Sequence, residues 1–165
     1  MSDTNRKSSY QAPNYPVLHW WRTPWGMITR LQLSFISTAK PCYHYNNLSD
    51  ASRNRINVKI LGQALCDNEL LEGWYRFVGA AGTKMPTTRV PRNRCGTQFS
   101  GWLNGIHPTV EDGEVYRTVC FSKLFDGCKY SNEISVKNCG SYFIYKLQQL
   151  PPDCKLRYCG TDWME

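Results

Sequence analysis

Residues 114–121 read Glu-Val-Tyr-Arg-Thr-Val-Cys-Phe, and this stretch decides the class of fold. In an extended chain, side chains two positions apart share a face. The odd positions from Val115 to Phe121 therefore form one face, and the even positions from Tyr116 to Cys120 form the other. This period of two predicts a β-strand over 114–121.

The same alternation continues after this strand. Residues 133–139 read EISVKNC and residues 142–147 read YFIYKL, with Gly140-Ser141 between them. Two apolar runs joined by a short Gly-Ser connection are typical of a β-hairpin. We predict that this hairpin ends before Pro151-Pro152, since proline cannot donate to a strand ladder.

Shorter strands are predicted upstream. The aromatic and β-branched run WYRFV at 74–78 predicts a strand that the turn residues 79–82 end, and GWLNG at 101–105 predicts a strand running into an Asn-Gly turn. Residues 48–55 offer an Asp or Ser cap for one or two helical turns. No segment of twelve or more residues has the helical period. We therefore predict a mainly β, compact, antiparallel module with little helix.

Composition excludes two classes of protein. The 165 residues include 20 Lys+Arg and 13 Asp+Glu, for a net charge of +7. The basic excess is densest in residues 1–40, and the rest of the chain is only mildly basic, which argues against a nucleic-acid partner. No window approaches eighteen uninterrupted apolar residues, so the sequence predicts no membrane-spanning helix.

The eight cysteines indicate the compartment. They are Cys42, Cys66, Cys95, Cys120, Cys128, Cys139, Cys154 and Cys159. An even number of widely spread cysteines is typical of a disulfide framework, which persists outside the cytosol. We therefore predict a secreted, extracellular domain over residues 41–162, with 163–165 as a tail.

The N-terminal region does not match that texture. Residues 1–16 are rich in Ser, Asn, Pro and Tyr without periodicity, which predicts disorder, and we expect residues 1–40 to lie outside the fold. No signal peptide begins at Met1. Two explanations stay open: a diluted signal sequence that starts at Met27, or an incomplete N-terminus.

Several blocks of sequence, in order, resemble the cysteine-rich extracellular domain of uromodulin, which zymogen-granule membrane glycoprotein 2 also carries. The blocks are LEGWYRF at 71–77, RCGT at 94–97, GWLNG at 101–105, HP at 107–108, GEV at 113–115, VKNC at 136–139, YKL at 145–147 and CKLRYC at 154–159. The resemblance covers residues 42 to about 162.

The resemblance implies a pairing that eight cysteines alone, with 105 possibilities, leave open. The implied bridges are Cys42–Cys139, Cys66–Cys154, Cys95–Cys159 and Cys120–Cys128. Two further family cysteines, bonded to each other, are replaced here by Arg89 and Gly127. The loss removes one bridge and strands no thiol. The resemblance also implies no catalytic residue and no cofactor.

Catalytic and metal sites find little support in the residues themselves. His107 precedes a proline in a turn and is interpreted as a surface or turn histidine. Cys42 with His44, or Cys154 with Cys159, lacks the second close pair that structural zinc requires, so no metal is expected. The only acidic cluster, residues 111–114, carries an Asp-Gly turn signature and is interpreted as a turn.

Two binding features remain as hypotheses. Lys84, Arg89, Arg92 and Arg94 form a local basic cluster that is either a solvated face or a docking site for a polyanion such as a sulfated glycan. Asn47-Leu48-Ser49 is the sole N-glycosylation sequon. We read the strand aromatics Trp74, Trp102, Phe121 and Tyr145 mostly as core, with a sugar-stacking platform as the alternative.

Together these features predict a non-catalytic extracellular interaction or structural module, with roles in matrix, mucus or innate defence as candidates. Its partner would be an extracellular protein or glycan. The alternative is a lectin-like module that binds glycan or polyanion through residues 84–94. Such binding would fall with added salt and with charge reversal at Lys84, Arg92 and Arg94.

Overall fold

A computed structural model describes residues 41–58, 62, 64–152 and 155–162, and seven strands in this part form one sheet. The strands are β1 (Asn46–Leu48), β2 (Gly73–Phe77), β3 (Phe99–Asn104), β4 (Glu114–Phe121), β5 (Tyr130–Asn138), β6 (Phe143–Leu147) and β7 (Leu156–Tyr158). The predicted strands and the predicted hairpin at 133–147 are present, with boundaries shifted by a few residues. The prediction of a mainly β, disulfide-rich fold is confirmed.

The strand order across the sheet is β1-β2-β6-β5-β4-β3-β7. The inner pairs, β2-β6, β6-β5, β5-β4 and β4-β3, are antiparallel as predicted. The outermost strands differ, because β1 pairs with β2 and β7 pairs with β3 in parallel. Parallel partners need a long crossover between them, which residues 49–72 provide for β1 and β2.

Helical structure in the described part of the chain is limited to three short 3₁₀ turns, at Pro41–Tyr43, Ala51–Arg53 and Gly79–Ala81. The predicted capped turn is the second of these, since Asp50 Oδ1 accepts the Ser52 N–H at 2.9 Å. Asp50 is thus the N-cap that the sequence suggested. No helix in the described ranges has the length and hydrophobicity to cross a membrane.

The core lies on one face of the sheet. Cross-strand partners share a face, and the row Tyr75, Tyr145, Val136 and Val115 crosses four neighbouring strands. The fully buried side chains that surround this row include Phe77, Leu103, Val119, Phe121, Ile134, Leu147 and Tyr158. The faces of β4 are those predicted, with Val119 and Phe121 directed into the core.

The outer face carries a different row. Trp74 pairs with Lys146, Lys146 with Ser135, and Ser135 with Tyr116, so these four side chains lie side by side across the sheet. Trp74 is therefore outside the core that sequence reasoning assigned to it, whereas Phe121 and Tyr145 are fully buried. Trp102 is half-buried and packs against a second small cluster that contains Cys95 and Cys159.

Three disulfides lie within the described residues: Cys42–Cys139, Cys95–Cys159 and Cys120–Cys128. Each is one of the pairs that the family resemblance implies. Cys66 is also disulfide-bonded, and its expected partner, Cys154, lies outside the described residues. No described cysteine is a free thiol.

The described residues all belong to one compact unit. The predictions made for residues 1–40, including disorder at 1–16 and the possible start at Met27, lie outside the described residues, as does the tail at 163–165. The domain boundaries at 41 and 162 remain a prediction.

Candidate functional site

The basic residues at 84–94 do not form one continuous surface. The backbone of Lys84 bridges to Thr161 across a short antiparallel contact. Arg89 instead extends toward the connection between β4 and β5, and Arg92 is half-buried. Arg94 lies beside Arg55, a residue that sequence reasoning did not include. The four residues are thus divided among separate surroundings.

Arg55 and Arg94 border a shallow pocket of about 330 Å³. Arg94 Nη1 donates to the backbone oxygen of Ile56 at 3.0 Å, and Arg55 Nη1 donates to Thr88 Oγ1 at 3.2 Å. Ile56 and Pro91 supply the apolar part of the lining. We call this set the arginine pocket. Its arrangement, two guanidinium groups beside an apolar surface, suits an anionic ligand with a hydrophobic ring or chain.

Arg89 lies where the resemblance places the lost bridge. A Cβ atom at Gly127 would lie 3.1 Å from Arg89 Cδ, so the Arg89 side chain packs directly over this glycine. Arg89 Nη2 donates to the backbone oxygens of Lys123, at 3.1 Å, and Leu124, at 3.4 Å. The two positions that carry cysteines in the family are therefore neighbours here, and non-covalent contacts join them.

The connection that Arg89 contacts, residues 122–130, is named here the hairpin tip. Lys123 N donates to Asp126 O at 2.7 Å, and Asp126 Oδ1 accepts the Cys128 N–H at 2.9 Å. Trp102 Nε1 donates to Gly127 O at 3.0 Å. The Cys120–Cys128 bridge closes the base of this tip. The tip is held by a covalent bond and several hydrogen bonds, although much of it is exposed.

His107 is more enclosed than a surface histidine. Its Nε2 lies 2.8 Å from the hydroxyl of Tyr145, and its ring stacks on Phe143 with centroids 4.3 Å apart. The Tyr145 hydroxyl also accepts the Met85 N–H, so its proton is available to a neutral His107. Burial, and then the positive charges of Lys84 and Arg117, lower the pKa of His107 to about 4. This neutral ring serves packing and hydrogen bonding.

Sequence reasoning missed a buried ionic network. Arg53 forms two hydrogen bonds with Asp67, at 2.6 and 2.8 Å, and Arg157 Nη2 lies 2.6 Å from Asp50 Oδ2. Tyr158 N also donates to Asp67 at 2.9 Å. These contacts join the segment before β2 to strand β7. No local pattern announces the network, because its members are far apart in sequence and meet only in the fold.

Burial alone would raise the pKa of Asp50, but hydrogen bonds from Arg157 and Ser52 outweigh it and lower the pKa to about 2. Burial, followed by repulsion from Arg53, lowers the pKa of Arg157. Each buried guanidinium has a carboxylate partner, which is what buried charges require. The network is a structural device, and nothing in its geometry provides an open reactive site.

The sequon residue Asn47 lies on the edge strand β1 and is exposed to solvent. Its cross-strand neighbour Arg76 stacks over the ring of Tyr142, 3.9 Å from the centroid, and donates to the hydroxyl of Tyr45 at 3.1 Å. This Arg-Tyr cluster was also missed, because an isolated Tyr or Arg gives no sequence signal. Glycosylation of Asn47 remains a prediction, and the exposed position would admit it.

The acidic cluster at 111–114 contains a turn. Asp112 Oδ2 accepts the Thr109 N–H at 2.8 Å and Thr109 Oγ1 accepts the Asp112 N–H at 3.3 Å. These hydrogen bonds from Thr109 lower the pKa of Asp112. Within the described ranges, no group of three or more His, Cys, Asp or Glu side chains is placed to hold a metal ion.

Comparison with known proteins gives the family. The model of the uromodulin-like eight-cysteine domain matches residues 75–160. The pancreatic secretory granule membrane major glycoprotein GP2 of Rattus norvegicus is 45% identical over 123 residues, which cover 72% of this chain and 22% of the relative. The GP2 of Canis lupus familiaris is 42% identical over 120 residues, 72% of this chain and 23% of the relative.

Uromodulin of Mus musculus is 41% identical over 120 residues, which cover 72% of this chain and 18% of that protein. The chain thus spans about a fifth of the length of the relatives it matches. The matched residues include the strands from β2 to β7 and the cysteines whose bridges are described above. The chain therefore belongs to the uromodulin-like eight-cysteine domain family.

Proposed function

We propose that the chain is a non-catalytic extracellular interaction or structural domain, with matrix, mucus or innate defence as the settings. The observation that carries this proposal is the disulfide framework, which joins distant parts of the sheet and leaves no described cysteine free. Such frameworks persist in oxidising compartments. The relatives are named as a secretory granule membrane glycoprotein and as uromodulin, which agrees with that compartment.

The chemistry of the charged side chains supports a binding role over a catalytic one. The perturbed groups are committed to structural contacts: Asp50 to Arg157, and His107 to Tyr145. A catalytic acid or base would need a reactive atom open to a substrate. The exposed features are instead surfaces, namely the arginine pocket, the hairpin tip and the region of Asn47.

A non-reducing peptide map tests this proposal. The chain would be secreted from a eukaryotic host, and free thiols would be alkylated before digestion. We expect the bridges Cys42–Cys139, Cys66–Cys154, Cys95–Cys159 and Cys120–Cys128, no alkylated cysteine, and a glycan on Asn47. Several alkylated cysteines or shuffled pairs would contradict an extracellular role.

The arginine pocket supports a second candidate function, the binding of a sulfated glycan or other polyanion. Arg55 and Arg94 present two cations at one pocket, whereas the original cluster at 84–94 is divided. Retention on immobilised heparin above about 0.15 M salt, where surface charges are screened beyond about 8 Å, would support it. Arg94→Glu should shift elution to lower salt, and Lys146→Glu on the outer face of the sheet is the control of equal charge change. Equal shifts for the two variants would assign the retention to net charge alone.

A further inference from the structure

The hairpin tip exposes apolar side chains on an ordered scaffold. Phe125 is 93% exposed, Leu124 is 55% exposed and Tyr130, where β5 begins, is 43% exposed. Scattered exposed apolar residues are common on protein surfaces. These three differ because they follow one another along a single short connection at one end of the β4–β5 hairpin.

The exposure of Phe125 belongs to a held conformation. Lys123 N and Asp126 O close the turn that contains Leu124 and Phe125, and Arg89 donates to backbone oxygens on the same turn. Together with the Cys120–Cys128 bridge, these contacts order the tip before any ligand binds. A binding element ordered in advance loses less conformational entropy on association.

The charges around the tip are mainly positive. Lys123, Lys129 and Arg89 are exposed, and they surround Leu124 and Phe125. The one acidic residue of the tip, Asp126, uses its carboxylate to accept the Cys128 N–H. An apolar apex inside a basic rim is complementary to a surface that is apolar beneath and anionic above.

The size of the apex selects the kind of surface. An aromatic side chain buries about 150–250 Å², so Leu124, Phe125 and Tyr130 together supply a few hundred Å². A stable protein interface requires about 800 Å² on each partner. Insertion into the headgroup and acyl boundary of a bilayer needs only a few apolar side chains with nearby Lys or Arg.

We propose that the hairpin tip docks reversibly on a lipid surface that carries anionic headgroups. Leu124 and Phe125 insert toward the acyl chains, and Tyr130 lies at the headgroup level, where amphipathic rings concentrate. Lys123 and Lys129 face the headgroup phosphates. This inference rests on the proposed function only for the compartment, because the tip requires the oxidised Cys120–Cys128 bridge.

Vesicle flotation tests the inference with the full, oxidised chain. The probes are vesicles of phosphatidylcholine alone and vesicles in which phosphatidylserine replaces about a third of it. We expect measurable binding that is stronger on the anionic vesicles. Phe125→Ser should lower the partition coefficient about tenfold on both. Lys129→Gln should lower it about fivefold on the anionic vesicles and leave it unchanged on the neutral ones.

Ile106→Ser is the matched control. Ile106 is 78% exposed, and it lies in the connection between β3 and β4, at the opposite end of β4 from the hairpin tip. We expect Ile106→Ser to bind like the wild type. A chain that ignores both kinds of vesicle would overturn the proposal and leave a protein partner for the tip. Equal losses for Ile106→Ser and Phe125→Ser would also overturn it. The peptide map stands apart from these outcomes, because correct bridges with no vesicle binding would reject the lipid surface alone.

Discussion

The side chain of His107 is held neutral by its surroundings. Its ring is stacked on Phe143 and bonded to Tyr145, and its pKa lies near 4 in the folded domain compared with 6.5 in an unfolded chain. Folding therefore excludes a proton that the unfolded chain binds between these two values. The resulting stability is complete above pH 6.5 and is lost as the pH falls through about 4.

We expect the free energy of unfolding to decrease by about 2–3 kcal/mol between pH 7 and pH 4 because of His107. Urea unfolding of the oxidised chain at several pH values would measure this. His107→Gln keeps an acceptor for Tyr145 but removes the titrating ring, so its stability should vary much less over the same range. A wild type and a variant with parallel pH profiles would contradict the assignment. The low pKa of Asp50 adds a separate loss below pH 3.8.

At the scale of elements, the hairpin tip shows how a non-covalent contact can stand at the position of a disulfide. Arg89 packs on Gly127 and hydrogen-bonds to the turn beside it. A guanidinium bonded to two backbone oxygens restrains the tip but does not limit the unfolded chain. The restraint is therefore weaker than a covalent link between the same positions.

The double substitution Arg89→Cys/Gly127→Cys should form a bridge between positions 89 and 127. We expect the free energy of unfolding to rise by about 1–3 kcal/mol, less than loop entropy alone would give because other bridges already limit this region. Urea unfolding without reductant measures the gain, and a peptide map detects the bridge. Arg89→Ala/Gly127→Ala, which lacks the thiols, should be no more stable than the wild type. Two free thiols in the oxidised double variant would show that the positions are not neighbours.

The elements that could be predicted from sequence are those with a local signal. Strand β4 alternates over eight residues and the β5–β6 hairpin has a turn between two apolar runs. The edge strands β1 and β7 have only three residues each, too few to show a period, and their parallel partners are distant in sequence. The mainly β class was therefore accessible from the sequence, and the sheet edges were not.

The candidate sites follow the same division. The basic cluster at 84–94 was identified by sequence proximity, but the fold places Arg94 with Arg55 and Arg89 with Gly127. The cysteine pairs came from the family resemblance, because spacing alone cannot choose among the possible pairings. Sites built from distant residues depend on tertiary contacts that a single sequence does not display.

At the scale of the whole molecule, the bridges contribute as much as the core. The Cys42–Cys139 bridge spans 97 positions, and loop entropy assigns it about 4.7 kcal/mol. That value approaches the lower limit of a domain's total stability of about 5–15 kcal/mol. The fold therefore depends on oxidation.

We expect the fully reduced chain to lose its cooperative thermal transition at 37 °C. Circular dichroism melting with and without a phosphine reductant measures this, and removal of the reductant under oxidising conditions should restore the transition. The near-ultraviolet signal of the half-buried Trp102, which packs on the Cys95–Cys159 cluster, should be lost with reduction. A reduced chain that still melts cooperatively near the oxidised temperature would contradict the dependence.

The bridges Cys42–Cys139 and Cys95–Cys159 interleave along the chain. Any peptide bond between Cys42 and Cys159 therefore lies inside at least one of the two closed loops. A protease that cuts once at an exposed connection, such as the hairpin tip, leaves both fragments covalently joined and the sheet held in place. Outside the cell, where digestive enzymes act and no new copy can be made on the spot, a nicked molecule of this kind would stay in service.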